Sequence, residues 1–570
     1  MVERAMIDTP AVVVPLRKSI EKYQFPRRTL ALASKQPKRK LPKNQTMRPP
    51  TWNPPIELSP SEQNVAKRIR KAKLFLFLRN IRHQLFDKEF QIELANLFKD
   101  STVGKCPIVP AQIALAIILQ AYTGVSDDEA IEAMQMDRRW QLVLDCLDSE
   151  QAPFGKGTLV RFRAVLIAKG GDRRLVEKTI EIAKNTQGYS ERSLRAALDS
   201  SPLWGAARVE DTYNLLGHAL RKSLEIIAKN TQQDVGAIAT QAGAEIVVAS
   251  SLKKALDLDW DDPSAREQAL TTILQALNQV ESWIESRSDL TQKTAESVKN
   301  SLASAKEIEE QDIERRVDGS PKLRQGVAPN RRIAIEDPSM RHGRKSRSKK
   351  FDGYKRHILK DLDTGMVRAV GVTPANAAEA SVTEALAIDL ASQNVELGEL
   401  QIDRAYLTSH WVKERASNLT IICKSWRVRN GKYFDKTAFY LDWDEGVICC
   451  PNGVSIPFTA GKTVRFPQKQ CQTCPLKSQC TASTKYRSVS IHPDEPLLQE
   501  LRERQTTAIG RQKLRERVSV EHSLAHIGQW QGTQARYWGL RKNLFDLRRM
   551  AVVHNLHVLA RMFKNQQISA

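Results

Sequence analysis

The chain reads as an α/β protein. A mixed five-stranded sheet with helices follows an all-α N-terminal domain and is interrupted by a small cysteine-rich β insertion. Three observations carry this reading. Short apolar runs of strand length end in isolated acids at Asp199 and Asp403. Elsewhere apolar residues recur at three- and four-residue steps, the helical period. Five of the eight cysteines fall between Cys449 and Cys480. That clustering suits a metal site in a reducing compartment better than a disulfide scaffold.

Size and charge set the class. With 570 residues the chain is too long for one core, so about three or four domains are expected. The hydrophobic fraction is 41%, the formal net charge is +23 and the pI is about 9.6. An excess of that size favours a polyanionic partner, nucleic acid above all. Residues 11–16 are too short for a secretory segment and are broken by Pro15. The apolar run at 113–119 is far short of a membrane span, so a soluble, intracellular protein with no membrane role is expected.

Residues 1–74 are basic and proline-bearing, as in Lys38-Arg39-Lys40-Leu41-Pro42-Lys43. They are read as a disordered arm that either touches phosphates or is an inert leader. Residues 75–190 form the helical module. Pro110 opens an apolar helix that Gly124 ends, and Ser126 with Glu129 has capping-box spacing before the next. Gly155-Lys156-Gly157 then leads into a helix carrying Arg161 and Arg163, a DNA-reading arrangement of helix, turn and basic helix.

At Leu194 the pattern becomes a strand ending in Asp199, with residues 191–213 opening the α/β core. Residues 214–329 are a helical insertion without chemistry-bearing clusters. The core resumes over 330–430. The basic run of Arg344, Lys345, Arg347, Lys349 and Lys350 is a loop suited to a DNA backbone. It feeds a hairpin, 354–359 and 366–372, turning at 361–365. A helix over 378–390 and buried strands at 400–403 and 419–423 follow.

The core closes over 500–530 with a helix expected at 515–526, whose apolar side is assigned to Leu514, Val518, Leu524 and Ala525 and includes Glu521. A carboxylate on that side must be paired, coordinated or at a cleft. Asp199, Asp403 and Glu521 together make a cage for two divalent metal ions. Glu210, Asp211 and Glu516 are competing acids nearby. Residues 431–499 form the cysteine-rich, zinc-ribbon-like insertion. Cys450, Cys471, Cys474 and Cys480 would close a tetrahedral site on one structural Zn²⁺, with Cys449 as a substitute for Cys450. Reduced cysteines packed in a small β lobe are the alternative. Residues 531–570 are a basic, aromatic helical segment in which Leu544, Leu547, Met550, Ala551, Val553 and Leu556 give a helix that should pack on the core.

Strand, long insertion, hairpin, helix, two strands and a late acidic helix is an order that resembles the ribonuclease-H-like core. Asp199, Asp403 and Glu521 resemble the Asp-Asp-Glu (DDE) triad of bacterial insertion-sequence transposases, the group with an N-terminal helical module and a cysteine-rich insertion before the glutamate. Ala197-Leu198-Asp199-Ser200, Val209-Glu210-Asp211-Thr212, Phe351-Asp352-Gly353-Tyr354-Lys355 and Thr373-Pro374-Ala375-Asn376 resemble that group as well. The resemblance implies DNA strand cleavage and strand transfer with two Mg²⁺ (or Mn²⁺) ions, Asp199 bridging both. It implies double-stranded DNA, both element ends and target, as partner, a homo-oligomer on that DNA, and a cytoplasmic, nucleoid-associated location. Two rivals stand beside it: a nuclease of the same fold that cuts without joining, and a non-catalytic DNA-binding descendant. Some relatives carry Tyr, Arg, Glu and Lys around the last acid. Here Arg517 is in place, but Leu514 and Gly528 stand where Tyr and Lys are expected. Arg536 or Lys542 is then expected to make those DNA-end contacts.

Overall fold

The computed structural model describes residues 48–99, 107–186, 193–249 and 252–569. Most of the expected arm, up to residue 47, lies outside them. Its last part does not: Ser59 and Glu62 form a capping box that opens α1 (Pro60–Arg68). Glu62 is buried against Arg79 at 3.0 Å, which ties this segment to the next helix. The expected disorder over 48–74 is therefore corrected: a basic, proline-rich composition hid a capped helix with a buried ion pair.

The helices α2 (Lys73–Leu85), α3 (Lys88–Ala95), α4 (Pro110–Thr123), α5 (Asp127–Met136), α6 (Arg138–Leu144), α7 (Lys156–Ala168) and α8 (Gly171–Lys184) complete the N-terminal part. Pro110 at the start of α4 loses no helical hydrogen bond, and Gly124 after it has φ 74°, a left-handed conformation that favours glycine. Ser126 and Glu129 cap α5 reciprocally.

Strand β1 (Leu194–Trp204) does not stop at Asp199. What ends near there is its parallel pairing with β7, which reaches Ala197, while its antiparallel partner β5 accompanies it to Trp204. Asp199 thus projects where the sheet splays. Next come α9 (Thr212–Thr231), α10 (Val235–Gln241), α11 (Leu252–Leu256), α12 (Pro263–Glu285), α13 (Gln292–Asp312) and a short hairpin, β2 (Ile313–Arg315) and β3 (Pro321–Leu323). They enclose their own core, built around Leu216, Leu220, Ile273, Leu277 and Val298. At its neck Asp312 accepts hydrogen bonds from Thr212 (2.8 Å) and Arg331 (2.7 Å).

The chain returns through β4 (Arg341–Arg344), β5 (Lys350–Asp361), β6 (Val367–Pro374), α14 (Thr383–Ala391), β7 (Leu397–Ile402), α15 (His410–Lys413) and β8 (Thr420–Cys423). The sheet is mixed and has six strands, ordered β4-β5-β1-β7-β8 with β6 also on β5. Five were expected. The missed one is β4, which pairs with β5 over residues 350–353 just ahead of β6. The charge run that reads as a loop is thus largely a strand and a tight turn, closed by Lys345 N–H to the Lys349 carbonyl at 2.9 Å.

Residues 440–490 hold β9 (Tyr440–Asp442), β10 (Val447–Cys449), β11 (Ser455–Pro457), β12 (Thr463–Arg465), α16 (Gln468–Gln472), α17 (Lys477–Cys480) and β13 (Ser488–Ser490), in two small antiparallel sheets. Four helices close the chain: α18 (Glu495–Thr506), α19 (Ala508–Glu516), α20 (Val518–Gln531) and α21 (Leu540–Ser569).

Strand alternation sends side chains to opposite faces of the sheet. Ala196, Leu198 and Leu359 pack on α14 and α18. Ala197 and Ile358 join a core that continues through α20 and α21 into the N-terminal helices. Helix α21 packs on the core through Leu547, Met550, Ala551, Val553 and Leu556, as its apolar residues predict, and forms a spine between module and sheet. Three of its arginines are spent internally: Arg541 pairs with Asp172, Arg548 with Asp389 and Asp172, and Arg549 with Asp546, whereas Arg561 is exposed. Among the described residues no helix is long and apolar enough to cross a membrane.

Candidate active site

Asp199, Asp403 and Glu521 line one open cavity of about 670 Å³. Asp199 comes from mid-β1. Asp403 follows β7, where its carboxylate accepts the Arg404 backbone N–H at 3.0 Å and starts a 3₁₀ turn. Glu521 lies in the first turn of α20. The single helix expected at 515–526 is two: α19 ends at Glu516 and α20 starts at Val518. The apolar side assigned to it is also corrected. Val520, Ser523, Leu524 and Ile527 are buried, whereas Val518 is 42% exposed. Glu521 is consequently on the cavity rim, with its side chain 48% exposed.

Arg517, at the break between the two helices, donates to Asp199 Oδ2 (3.0 Å) and to Glu521 Oε1 (2.8 Å). Burial pushes the Asp199 carboxyl above its ordinary range, opposed by the Ser200 N–H and by Arg517. One guanidinium therefore only partly compensates the buried charge. The donor set, three carboxylates and no nitrogen or sulfur, suits a hard divalent cation. Among the described residues no three His, Cys, Asp or Glu side chains stand together as a ligand group. In this arrangement Arg517 lies between two of the acids and Asp403 turns to its own backbone. The competing acids have other partners. Glu516 accepts Arg195 at 2.6 Å, Glu210 meets His218 at 3.0 Å, and Asp211 caps α9.

Beneath the acids lies a buried polar cluster that sequence reading missed. His357 is fully buried, with Nδ1 at 2.8 Å from the Tyr406 hydroxyl and Nε2 at 3.0 Å from Thr373 Oγ1. Burial pushes its imidazole down to about 3, so it is neutral. Tyr406 in turn reaches Ser200, the neighbour of Asp199. Lys355, Arg356 and Glu379 also line the cavity. Arg356 is 6% exposed and donates to Ser201 (2.8 Å), Gln531 (2.9 Å) and the Gly532 carbonyl (3.0 Å). It packs on Gly528, where a Cβ would meet its guanidinium at 3.0 Å. A cation thus stands beside the residue found where lysine was expected. Period-two alternation over 354–359 puts Arg356 on the same face as Ile358, and that was the available signal.

The predicted DNA-contacting cations separate into groups. Arg344 and Lys345 line the cavity, and Arg347, Lys349 and Lys350 extend exposed from the same turn. Arg161 is exposed, and its Nε donates to the Gly157 carbonyl. Arg163 departs from expectation. It is 9% exposed, donates to both Asp127 oxygens at 2.7 and 2.6 Å, and stacks over Tyr537. A buried guanidinium already paired with a carboxylate has no free fork for a base edge. Arg536 caps the end of α4 through the Gly124 and Val125 carbonyls, and Lys542 is exposed at the start of α21.

Cys450, Cys471, Cys474 and Cys480 converge on one small pocket walled by Phe434, Phe439 and Phe466. The thiols are free, and burial, with the neighbouring cysteines, pushes the Cys480 thiol up. They do not form a ligand group among the described residues, so the expected zinc is not supported. Cys450, Cys471 and Cys480 pack instead against the lobe's apolar core.

Three family models match the chain. One described as Transposase domain (DUF772) covers residues 63–165, and two described as Transposase DDE domain cover 328–437 and 449–560. The second match holds Asp403 and the third Glu521, whereas Asp199 lies outside all three. No curated protein and no solved structure matches the chain.

Proposed function

Since the chain belongs to the insertion-sequence transposases of the DDE type, whose domains imply a ribonuclease-H-like core, we propose that it binds the ends of its mobile element and catalyses metal-dependent DNA strand cleavage and strand transfer. One observation supports this above the others. Three carboxylates far apart in sequence open on one cavity, and its wall carries Arg344, Lys345, Lys355, Arg356 and Arg517. Carboxylates alone would repel a phosphodiester, and cations alone would bind it without chemistry.

Transposases of this type use divalent ions, generally Mg²⁺. Asp199, Asp403 and Glu521 would hold two of them, which when bound supply an activated nucleophile and stabilise the leaving oxygen. The chain's own residues do the rest. Arg517 keeps the Asp199 and Glu521 oxygens together before a cation takes them. His357, Tyr406 and Ser200 fix the backbone on which Asp199 and Asp403 sit. The cationic wall positions the phosphate for attack. Cleavage joins a water oxygen to phosphorus and breaks the P–O3′ bond. Strand transfer joins the freed 3′-hydroxyl oxygen to a target phosphorus and releases a target 3′-hydroxyl. Acting as a homo-oligomer on two ends is part of this proposal.

The test is a labelled element end incubated with Mg²⁺ and target plasmid. Cleaved ends joined to target are expected. Cleavage without joining would support the nuclease reading, and binding without cleavage the non-catalytic one.

A further inference from the structure

A second concentration of positive charge shares no residue with the acid cavity. A groove between the end of α1, the following turn and the start of α6 is lined by Val65, Arg68, Ile69, Arg70, Lys71, Ala72, Arg138 and Arg139. Arg68, Arg70, Lys71 and Arg138 are exposed. The acids beside it are already taken: Asp137 by Arg139 at 2.6 Å and Glu62 by Arg79 at 3.0 Å. No side-chain hydrogen bond or ion pair holds Arg68, Arg70, Lys71 or Arg138 among the described residues. Like charges gathered this way repel one another, and local structure explains only one of them. Arg68, in the last turn of α1, favours the negative end of the helix dipole. Arg138 opens α6, where a cation opposes the dipole. Arg70 and Lys71 belong to the turn.

The lining also tells what kind of ligand fits. It holds cations and aliphatic side chains only. Among the described residues no neighbouring side chain fixes the orientation of Arg68, Arg70 or Arg138, so none is held as a rigid fork for a guanine edge, and the lining has no aromatic ring for an unstacked base. Such a surface suits phosphates spaced along a duplex, independent of sequence. We propose that this groove is a DNA-backbone site that adds affinity for any duplex without discriminating element ends. This rests on the proposed transposase reading and deepens it.

The full chain with Arg68→Gln, Arg70→Gln, Lys71→Gln and Arg138→Gln is compared with wild type by fluorescence anisotropy on labelled terminal and scrambled duplexes, between about 50 and 200 mM salt. Each lost phosphate contact lowers the slope of log affinity against log salt by about 0.9, so a decrease of about 3.6 is expected if all four contribute. Affinity should fall by one common factor for both duplexes, leaving their ratio unchanged. Hydrogen exchange over residues 60–85 and 138–144 reports whether the fold is intact. A charge-matched control carries Lys229→Gln, Arg266→Gln, Lys293→Gln and Lys299→Gln on exposed positions of the helical insertion. It should leave the slope near wild type. An unchanged slope in the groove variant, an equal loss in the control, or a lost preference for terminal DNA each overturns the proposal while wild-type binding stands. A wild-type chain that binds no duplex at any salt overturns the transposase reading itself, and this site with it.

Discussion

Replacing Arg163 by Gln separates a structural role from a DNA-reading one. The Asp127 carboxyl is held down, from 3.8 to about 2, chiefly by its hydrogen bonds to Arg163, with help from Gln120. At about 1.36 kcal/mol per unit, that displacement is worth about 2.4 kcal/mol at neutral pH. The Asp127 side chain is 22% exposed and would keep Gln120 and the first turn of α5, so about 2 kcal/mol is the expected cost. A depressed carboxyl gives its stabilisation above the unfolded value and loses it as pH falls through the folded one. The gap between wild type and variant should therefore be full at pH 7 and shrink from about pH 4 toward pH 2. Hydrogen exchange followed by mass spectrometry reads the effect locally. Peptides spanning residues 126–136 and 156–168 should lose about 30-fold in protection, the equivalent of about 2 kcal/mol. Discrimination between terminal and scrambled DNA should survive. Normal protection together with lost discrimination would refute the reasoning and return Arg163 to the DNA interface.

Asp199→Asn, Asp403→Asn and Glu521→Gln should each abolish cleavage and leave duplex binding largely intact; gel shifts beside cleavage assays measure both. Asp199→Asn should also raise thermal stability at neutral pH, because a carboxyl raised by burial costs stability once pH exceeds its unfolded value. His357 is held down to about 3, so it loses stability as pH falls below about 6.5. His357→Gln should remove about one proton's worth of that dependence, visible in urea titrations between pH 7 and pH 5. Gly353 has φ 145°, and a Cβ there would meet the Gly205 nitrogen at 2.3 Å and the Leu203 oxygen at 2.4 Å. Gly353→Ala should cost more than about 2 kcal/mol by forcing β1 and β5 apart, measured as a lower unfolding midpoint.

The sequence showed most clearly what depends on local rules. The cap of α5, the glycine that ends α4 and the hairpin of β5 and β6 follow from neighbouring residues. Asp199 and Asp403 stood out because each follows an apolar run of strand length, whereas the apolar side that singled out Glu521 was misassigned. Contacts between distant residues were not visible. Arg163 and Asp127 look like surface charges until α5 and α7 are packed together. The arginines of α21 look like a DNA-binding face until Asp172 and Asp389, from two other helices, are brought to them. Strand β4 was hidden because its pairing lies in backbone hydrogen bonds, and Arg341-His342-Gly343-Arg344 shows no hydrophobic alternation.

The clasp at the neck of the helical insertion bears on how the chain folds. Strands β1 and β5 pair although about 150 residues separate them, and closing so long a loop in a disordered chain is slow and entropically costly. Thr212, Asp312 and Arg331 bring the two ends of the insertion together beneath its own apolar core. A prefolded insertion would turn that long loop into a short tether, so the six-stranded sheet could form as though β1 and β5 were close neighbours in the chain. We therefore expect the segment without chemistry to act as a folding template for the strand that carries Asp199.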